Sequence, residues 1–166
     1  MKKLTELDLE FDFSDAIDAM YFDDDEYHSK NTMKRVDFIV EYEEFYRFIE
    51  VKDPDIPNAK SREKFLVKLG SGQLIQSLSG KYRDSLFFRS VQKKIDKKIQ
   101  YIVLLSMASL DAALLLTKQD ELHKSIPLSH SDWSNDSAAV CVIFNLNQWK
   151  KFFGEKSVKR LSEGAA

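Results

Sequence analysis

Three residues of chemically useful types, Asp37, Glu50 and Lys52, lie in two neighbouring runs of apolar, β-branched and aromatic residues. The runs are RVDFIVEY and FYRFIEV, and the polar pair Glu43–Glu44 between them predicts an antiparallel hairpin. If the turn is centred on that pair, Asp37 stands directly across from Glu50, and both side chains point to the same face. Lys52 points to that face as well, because side chains on a strand repeat every second residue.

Two carboxylates placed this close repel each other, and a bound cation is the usual relief at neutral pH. Mg²⁺ is commonly held by one or two carboxylates and keeps waters in its other positions, so Mg²⁺ (or Mn²⁺) suits Asp37 and Glu50. The ammonium of Lys52 can position and help deprotonate an attacking water, and it can stabilise charge that develops on a phosphate. The three side chains therefore predict metal-assisted hydrolysis of a phosphodiester. The alternative is a half-exposed ladder of ion pairs with no catalytic role.

The order of these residues resembles the PD-(D/E)xK nuclease superfamily, whose members have the restriction-endonuclease-like fold. The matching pieces are Asp37 in KRVDFIVEY and the triplet Glu50-Val51-Lys52 in RFIEVKDP. Val36 stands where the family name has proline. The resemblance implies that Asp37 and Glu50 are metal ligands, that the Val51 carbonyl is a further ligand, and that Lys52 acts on the attacking water.

The resemblance covers mainly residues 33 to about 107 and implies two further groups of residues. Some members of the superfamily add an acid from an N-terminal helix, for which the candidates here are Asp15, Asp18 and Asp23. Some also use a glutamine and a tyrosine from the helix after the hairpin, where this chain has Gln73, Gln76 and Tyr82. The superfamily includes members that have lost catalysis, so the fold alone does not establish activity.

Helical spacing follows the hairpin. A helix is predicted to begin at Ser61, with Phe65, Leu66 and Leu69 on one face, and a second segment, QLIQSL, is predicted to extend to Gly80. The residues before the hairpin are ambiguous, because positions 4–26 fit either alternating strands or a helical stripe.

The stretch after Gly80 predicts a basic amphipathic helix. Its apolar stripe spans about 120° of a helix and is formed by Phe87, Phe88, Val91, Ile95 and Ile99. The lysines at 93, 94, 97 and 98 fall mostly outside the stripe. They contribute to the candidate nucleic-acid-binding residues, which are Lys81, Arg83, Lys93, Lys94, Lys97 and Lys98. The C-terminal segment KKFFGEKSVKR is a second candidate surface for phosphates.

Two further apolar runs, YIVLLSM and AAVCVIF, predict buried strands joined by a helix. That helix is predicted to be capped by Ser109 and closed by Pro127, and the last helix, QWKKFF, to be capped by Asn147 and to end at Gly154. A strand, a helix and a second strand in this order form a crossover between parallel strands. The predicted fold is therefore α/β, with a mixed sheet of an antiparallel hairpin plus parallel strands and with helices on both faces.

The 166 residues predict one domain, spanning residues 1–166. No apolar run approaches the roughly 18 residues of a membrane span, and the start of the sequence lacks the apolar segment of a signal peptide, so a cytoplasmic protein is expected. The single cysteine, Cys141, is expected to be buried, and His28, His123 and His130 are expected at the surface, which argues against a zinc site.

The net charge of −2 is unevenly distributed. Residues 1–55 carry 17 acidic and 7 basic side chains, whereas residues 56–166 carry 10 acidic and 18 basic ones. Clustered acids can hold divalent cations, and a basic remainder can bind a polyanion. This distribution agrees with a metal-dependent enzyme that acts on nucleic acid.

We therefore expect a Mg²⁺-dependent nuclease with nucleic acid, first of all DNA, as its substrate. The sequence contains no helix-turn-helix or zinc finger, so recognition would need a homodimer, a partner protein or a structured substrate. It also contains no catalytic Ser/His/Asp or Cys/His group and no Gly-rich phosphate loop. The alternatives are a non-catalytic protein of the same fold that binds protein or nucleic acid, and nucleic-acid binding without cleavage.

Overall fold

The computed structural model describes residues 2–56 and 59–164, and these residues form two sheets and five α-helices. The strands are β1 (Lys3–Glu6), β2 (Leu9–Asp12), β3 (Asp18–Tyr21), β4 (Phe38–Glu41), β5 (Phe45–Lys52), β6 (Lys98–Leu105), β7 (Val140–Phe144) and β8 (Val158–Arg160). The helices are α1 (Asp25–His28), α2 (Ala59–Gly70), α3 (Gln73–Val91), α4 (Ala112–Ser125) and α5 (Leu146–Phe153). Short 3-10 turns lie at Glu155–Ser157 and Ser162–Gly164.

The larger sheet has the strand order β3-β4-β5-β6-β7. β4 and β5 form the predicted antiparallel hairpin, with Phe38 paired with Ile49 and Glu41 paired with Tyr46. When this register is continued by one residue, Asp37 stands opposite Glu50 of β5. β5, β6 and β7 are parallel neighbours, which confirms the predicted crossover through α4.

Apolar cores cover both faces of this sheet. On one face Phe48 and Tyr101 pack with Leu78 of α3 and with residues of α2 and α4. On the other face Ile49 packs with Trp149 of α5 and with the smaller sheet. Helices therefore lie on both faces, and the mixed α/β fold class predicted from the sequence is confirmed. Because side chains alternate along β5, Glu50 faces the same side as Phe48, which is the side of α3.

The N-terminal segment, which the sequence leaves ambiguous, forms strands. β1, β2 and β8 make a three-stranded antiparallel sheet, in which Phe11 is paired with Val158. Phe11 and Leu9 are fully buried against the larger sheet. The alternation of apolar residues in this segment therefore reports a half-buried strand rather than a helical stripe.

The predicted basic helix that reaches Ile99 is wrong. α3 passes through Gly80 without a break and ends at Val91, and Lys93 then adopts a left-handed backbone conformation with φ 59°. Ile99 is buried in β6, and pairing with β5 places it there in spite of its helical spacing. At Gly80 a Cβ atom would meet the flexible Lys34 side chain at 3.1 Å, so a larger residue there would require Lys34 to shift.

Both predicted caps of the later helices are displaced. Asp111, not Ser109, caps α4, since its side chain accepts a hydrogen bond from the Leu114 N–H. Asn145, not Asn147, caps α5, where it forms a reciprocal capping box with Gln148. In both cases the capping side chain is the one directly before the first helical residue.

Cys141 is buried as predicted, whereas the expected surface position of His28 is wrong. His28 is buried against Phe22 and Phe88 at the end of α1, and this aromatic contact replaces water around the ring. His130 is exposed, and the ring of the half-buried His123 contacts the Cys141 carbonyl. Within residues 2–56 and 59–164, no helix has the length and apolar character needed to cross a membrane.

Candidate active site

Asp37, Glu50 and Lys52, the three residues singled out by sequence, lie together at the end of the β4–β5 hairpin. Glu50 is 0% exposed and Asp37 is 7% exposed. The Lys52 ammonium contacts Oε1 of Glu50. The Val51 N–H donates a hydrogen bond of 2.7 Å to Oδ2 of Asp37. The hairpin register therefore gathers two buried acids and an ammonium at one place.

A second ammonium joins this group from α3. Nζ of Lys81 lies 2.8 Å from Oε1 of Glu50 and 3.6 Å from Oδ1 of Asp37. Its side chain is 17% exposed. The prediction that Lys81 lies on a basic surface helix is therefore wrong, because α3 turns this residue toward the sheet.

The helical spacing of α3 contains a signal that places Lys81 in the site. Leu74, Leu78 and Ser85 are buried, and Lys81 falls on the same helical face at positions three or four residues apart. A cation on an otherwise buried face needs a buried partner, and the facing strand provides Glu50. Burial and the spacing of the neighbours thus identify Lys81 as a residue of the acidic cluster.

Of the three N-terminal acids, Asp23 reaches the cluster. Its Oδ2 atom lies 3.8 Å from Nζ of Lys81, and its Oδ1 atom accepts a 2.9 Å hydrogen bond from Arg35. Asp18 is paired with Glu41, at the opposite end of the β3–β4 pair. Asp15 lines a separate pocket with Arg47. The pairing of β3 with β4 thus selects Asp23 from the three candidates.

Glu6 is an acid near the site that the sequence does not indicate. Burial raises the pKa of Glu6, and repulsion from Asp37 raises it further, whereas Lys52 and Lys81 lower it. Glu6 ends β1, and the neighbouring Thr5 exchanges two hydrogen bonds with the Tyr21 hydroxyl of β3. A contact between the two sheets therefore brings Glu6 toward Asp37, and no local sequence pattern reports such a contact.

Burial dominates the electrostatics of Glu50. It raises the pKa of Glu50 to about 7, and repulsion from Asp37 adds to the rise, while Lys52 and Lys81 oppose it. Burial lowers the pKa of Lys81, but the facing carboxylates of Glu50 and Asp37 outweigh it, so the pKa of Lys81 is raised. The cluster thus holds a carboxylate whose negative charge is incompletely compensated.

The donor set fits a hard divalent cation. Oε2 of Glu50 is buried and has no hydrogen-bond partner among the described residues. Oδ2 of Asp37 accepts a hydrogen bond from the Val51 N–H, and Oδ1 makes a longer contact, of 3.6 Å, with Nζ of Lys81. Carboxylate oxygens are the ligands that Mg²⁺ and Mn²⁺ prefer. No group of three or more His, Cys, Asp or Glu side chains forms a ready metal cage within the described ranges, so waters or substrate oxygens would complete the coordination.

The glutamine and tyrosine candidates do not join the cluster. Tyr82 is fully buried, stacks on Tyr101, and its hydroxyl donates to the Ser137 carbonyl. Gln73 and Gln76 are exposed in the first turns of α3. Since Tyr82 adjoins Lys81 on a helix, its side chain points in a different direction.

The other predicted nucleic-acid-binding residues lie away from the acids. Lys93 and Lys94 are exposed in the turn after α3. The other three predicted residues, Arg83, Lys97 and Lys98, are among those that line a groove of about 920 Å³. Lys98 is paired with Phe45 at the start of β5, whereas the acids lie at its end. At about 3.3 Å per residue, roughly 23 Å separates the two ends of β5. Lys97 also forms an ion pair with Glu41 at 2.6 Å.

An acidic depression lies beside the cluster. It has a volume of about 480 Å³ and is lined by Tyr21, Asp23, Asp24, Asp25 and Arg35. Asp23 joins this depression to the cluster through Lys81. An opening with this surplus of carboxylates attracts cations and repels phosphate unless cations are bound.

An arginine holds the segment that follows Lys52. The guanidinium of Arg160 donates two hydrogen bonds of 2.8 Å to the carboxylate of Asp53 and another of 2.8 Å to Ser106. It also bonds to Asp8 at 3.1 Å. The C-terminal strand β8 thus fixes the end of β5, and Arg160 is not a free phosphate-binding residue of the C-terminal segment.

This chain is distantly similar to a solved structure. No family model matches this sequence, and no curated protein matches it. Among solved structures, the small subunit of the heterodimeric restriction endonuclease R.BspD6I is similar, with a TM-score of 0.39 and 16% sequence identity. The similarity covers 85% of this chain, which spans 60% of the length of that subunit. A similarity this distant carries no argument about the fold family or the activity of this chain.

Proposed function

We propose that this chain is a Mg²⁺-dependent nuclease that hydrolyses phosphodiester bonds by PD-(D/E)xK chemistry. One observation supports the proposal above all: the hairpin brings Asp37 and Glu50 together with Lys52, and Oε2 of Glu50 is buried without a partner among the described residues. A buried carboxylate oxygen without a partner is costly in a protein that only needs to fold. A site built to receive a cation accounts for that cost.

Each residue of the cluster has a role in this proposal. Mg²⁺ (or Mn²⁺) supplies Lewis-acid polarisation of a phosphate oxygen when it is bound. Oδ1 of Asp37 and Oε2 of Glu50 are the oxygens that would hold it, together with the Val51 carbonyl. Lys52 is 28% exposed and is the most accessible of the three predicted catalytic residues. Its ammonium would orient the attacking water and donate hydrogen bonds to the phosphate.

The expected substrate is nucleic acid, with DNA tested first. The acidic depression beside the site would accept a phosphate only together with a cation, which agrees with a strict metal requirement. The exposed Lys93 and Lys94 and the groove at Lys98 would contact the phosphate backbone at a distance from the cleavage point. A homodimer or a partner protein would extend this short chain over a longer stretch of substrate.

A second candidate function is a non-catalytic binding module with the same fold. It is favoured by the contacts of Lys52 and Lys81 with the same Glu50 oxygen, because two ammonium groups already oppose the two buried acids. In this case the cluster would be a structural ion network, and the chain would bind a partner protein or nucleic acid without cleaving it. Nucleic-acid affinity would then depend on salt and would survive Lys52→Ala.

One experiment separates the two functions. The purified protein is incubated with single-stranded, double-stranded and branched DNA and with RNA, each with Mg²⁺, Mn²⁺ or EDTA. A nuclease should cleave at least one form with metal and none with EDTA, and Asp37→Ala should be inactive. Asp120→Ala, at an exposed acid of α4, is the control that should keep activity. If no form is cleaved and neither metal raises the melting temperature, the nuclease proposal fails.

A further inference from the structure

We propose that the Lys81 ammonium is a resident cation that occupies the place between Asp37 and Glu50 and must be displaced when a divalent metal binds. The inference rests on the proposed function, because it concerns the same metal site. It assigns Lys81 a regulatory role that opposes metal binding, in contrast to a role in gripping phosphate.

The position of Nζ carries this inference. The ammonium lies within 4 Å of three carboxylates, those of Glu50 at 2.8 Å, Asp37 at 3.6 Å and Asp23 at 3.8 Å. It bridges the two acids that would hold the metal, so it stands where their negative potentials add. Contacts with three carboxylates leave the Lys81 ammonium less available to a phosphate than that of Lys52, which contacts Glu50 alone among the described residues.

Lys52 does not have this bridging position. Within the described residues its only ion pair is with Glu50, and its side chain is more exposed than that of Lys81. Lys52 can therefore stay at the mouth of the site when a metal binds. Lys81 cannot keep its contacts with both ligands, because a divalent cation and an ammonium on the same two carboxylates repel each other at short range.

The structure provides the conditions for displacement. Lysine has a flexible four-carbon stem, and its ammonium is strongly hydrated, so Nζ can move toward Asp23 and the acidic depression without unfolding α3. In the metal-free state the same ammonium compensates buried carboxylates that would otherwise repel each other. Lys81 thus stabilises the metal-free fold and weakens metal binding at the same time.

These two effects predict that Lys81→Gln changes the metal-free stability and the metal affinity in opposite directions. The variant should be less stable than the wild type without metal, yet it should bind Mn²⁺ more tightly, by roughly 5-fold to 150-fold, the usual range of coupling between two sites. A lysine with a purely structural role would give lower stability without tighter binding. A phosphate-binding lysine would leave the Mn²⁺ affinity unchanged and lower the affinity for nucleic acid.

The test measures the Mn²⁺ dissociation constant by titration calorimetry and by electron paramagnetic resonance of free Mn²⁺, at fixed pH and ionic strength. It compares the wild type with Lys81→Gln, Lys81→Arg and Lys151→Gln. Lys81→Arg keeps the cation and should not bind more tightly, and Lys151→Gln makes the same charge change at an exposed position on α5. Equal or weaker binding by a folded Lys81→Gln would overturn the inference.

Two further readouts keep the result decisive. In the wild-type protein, the ¹³Cε resonance assigned to Lys81 should move as Mg²⁺ is added, and that of Lys151 should not. If Lys81→Gln fails to fold, an unmoved Lys81 resonance at metal saturation overturns the inference. If neither the wild type nor any variant binds metal, both the proposed function and the inference about Lys81 fail. If the wild type and Lys81→Gln bind metal equally tightly, the inference about Lys81 fails alone.

Discussion

The backbone N–H of Val51 donates a 2.7 Å hydrogen bond to Oδ2 of Asp37 across the hairpin. Because Val51 lies between Glu50 and Lys52, this bond fixes Asp37 relative to both residues. It also orients the Asp37 carboxylate, whose Oδ1 lies 3.6 Å from Nζ of Lys81. The bond therefore links the folding of the hairpin to the geometry of the site.

Two substitutions at Asp37 separate charge from hydrogen bonding. Asp37→Asn keeps an oxygen that can accept from Val51, so its metal-free stability should stay within about 1 kcal/mol of the wild type. Asp37→Ala leaves the Val51 N–H without its acceptor and should cost roughly 1–3 kcal/mol. Both variants should lose the metal-dependent rise in stability, which would be about 2.7 kcal/mol at a metal concentration 100-fold above the dissociation constant. Urea unfolding with and without Mg²⁺ measures all three quantities.

Lys52→Ala should reduce metal-dependent cleavage by about 10²-fold to 10⁴-fold. The fold should persist, because Lys81 still contacts Glu50 when Lys52 is absent. The Mg²⁺-dependent rise in melting temperature should persist as well, since Lys52 is not a metal ligand. Single-turnover cleavage assays and thermal melts on the same preparation check the two expectations. Cleavage at the wild-type rate would remove Lys52 from the mechanism.

The hairpin and its register could be predicted from sequence because both depend on local information. The apolar alternation and the turn at Glu43–Glu44 determine which residues of β4 and β5 face each other. For the same reason Asp37 and Glu50 could be assigned to one face. Parallel pairing of β6 and β7 could also be predicted, because an apolar strand, a helix and a second apolar strand allow few topologies.

The failures of prediction involve contacts between distant parts of the chain. Ile99 has helical spacing with Val91, yet pairing with β5 makes it part of a strand. Glu6 approaches the site through a contact between two sheets, and Lys81 enters it because one face of α3 packs on β5. The contacts of Ile99 and Glu6 leave no periodic signal in the sequence. Lys81 does share the helical face of Leu74 and Leu78, but that spacing does not identify its partner on β5. Local propensity therefore predicts the helices and strands better than it predicts which residues form the site.

The metal-free protein should lose stability, relative to Glu50→Gln, as the pH rises. The pKa of Glu50 is raised to about 7 from an ordinary value of 4.5, so the folded state binds a proton that the unfolded state has released between these values. The contribution of Glu50 is therefore fully present below pH 4.5 and is lost as the pH rises through about 7. The expected slope within this window approaches about 1.4 kcal/mol per pH unit.

Urea unfolding of the wild type and Glu50→Gln at several pH values, in EDTA, measures that slope as a difference between the two proteins. Glu10→Gln is the matched control on the surface. Hydrogen bonds from Lys159 and Lys3 lower the pKa of Glu10, so its contribution should be lost as the pH falls. If the difference in unfolding free energy from the wild type changed with pH in the same way for Glu50→Gln and Glu10→Gln, the raised pKa of Glu50 would be contradicted.

Arg160→Met should destabilise the protein by about 3–5 kcal/mol, because it leaves the carboxylate of Asp53 buried without its bidentate partner. Methionine keeps much of the apolar stem, so the loss reports the missing guanidinium. Arg62→Met is the control, since the ion pair of Arg62 with Asp55 is exposed at the arginine and should contribute less than about 1 kcal/mol. Because Asp53 directly follows Lys52, the Mg²⁺-dependent stabilisation should also weaken in Arg160→Met and not in Arg62→Met. Similar unfolding free energies for the two variants would show that β8 does not hold the end of β5.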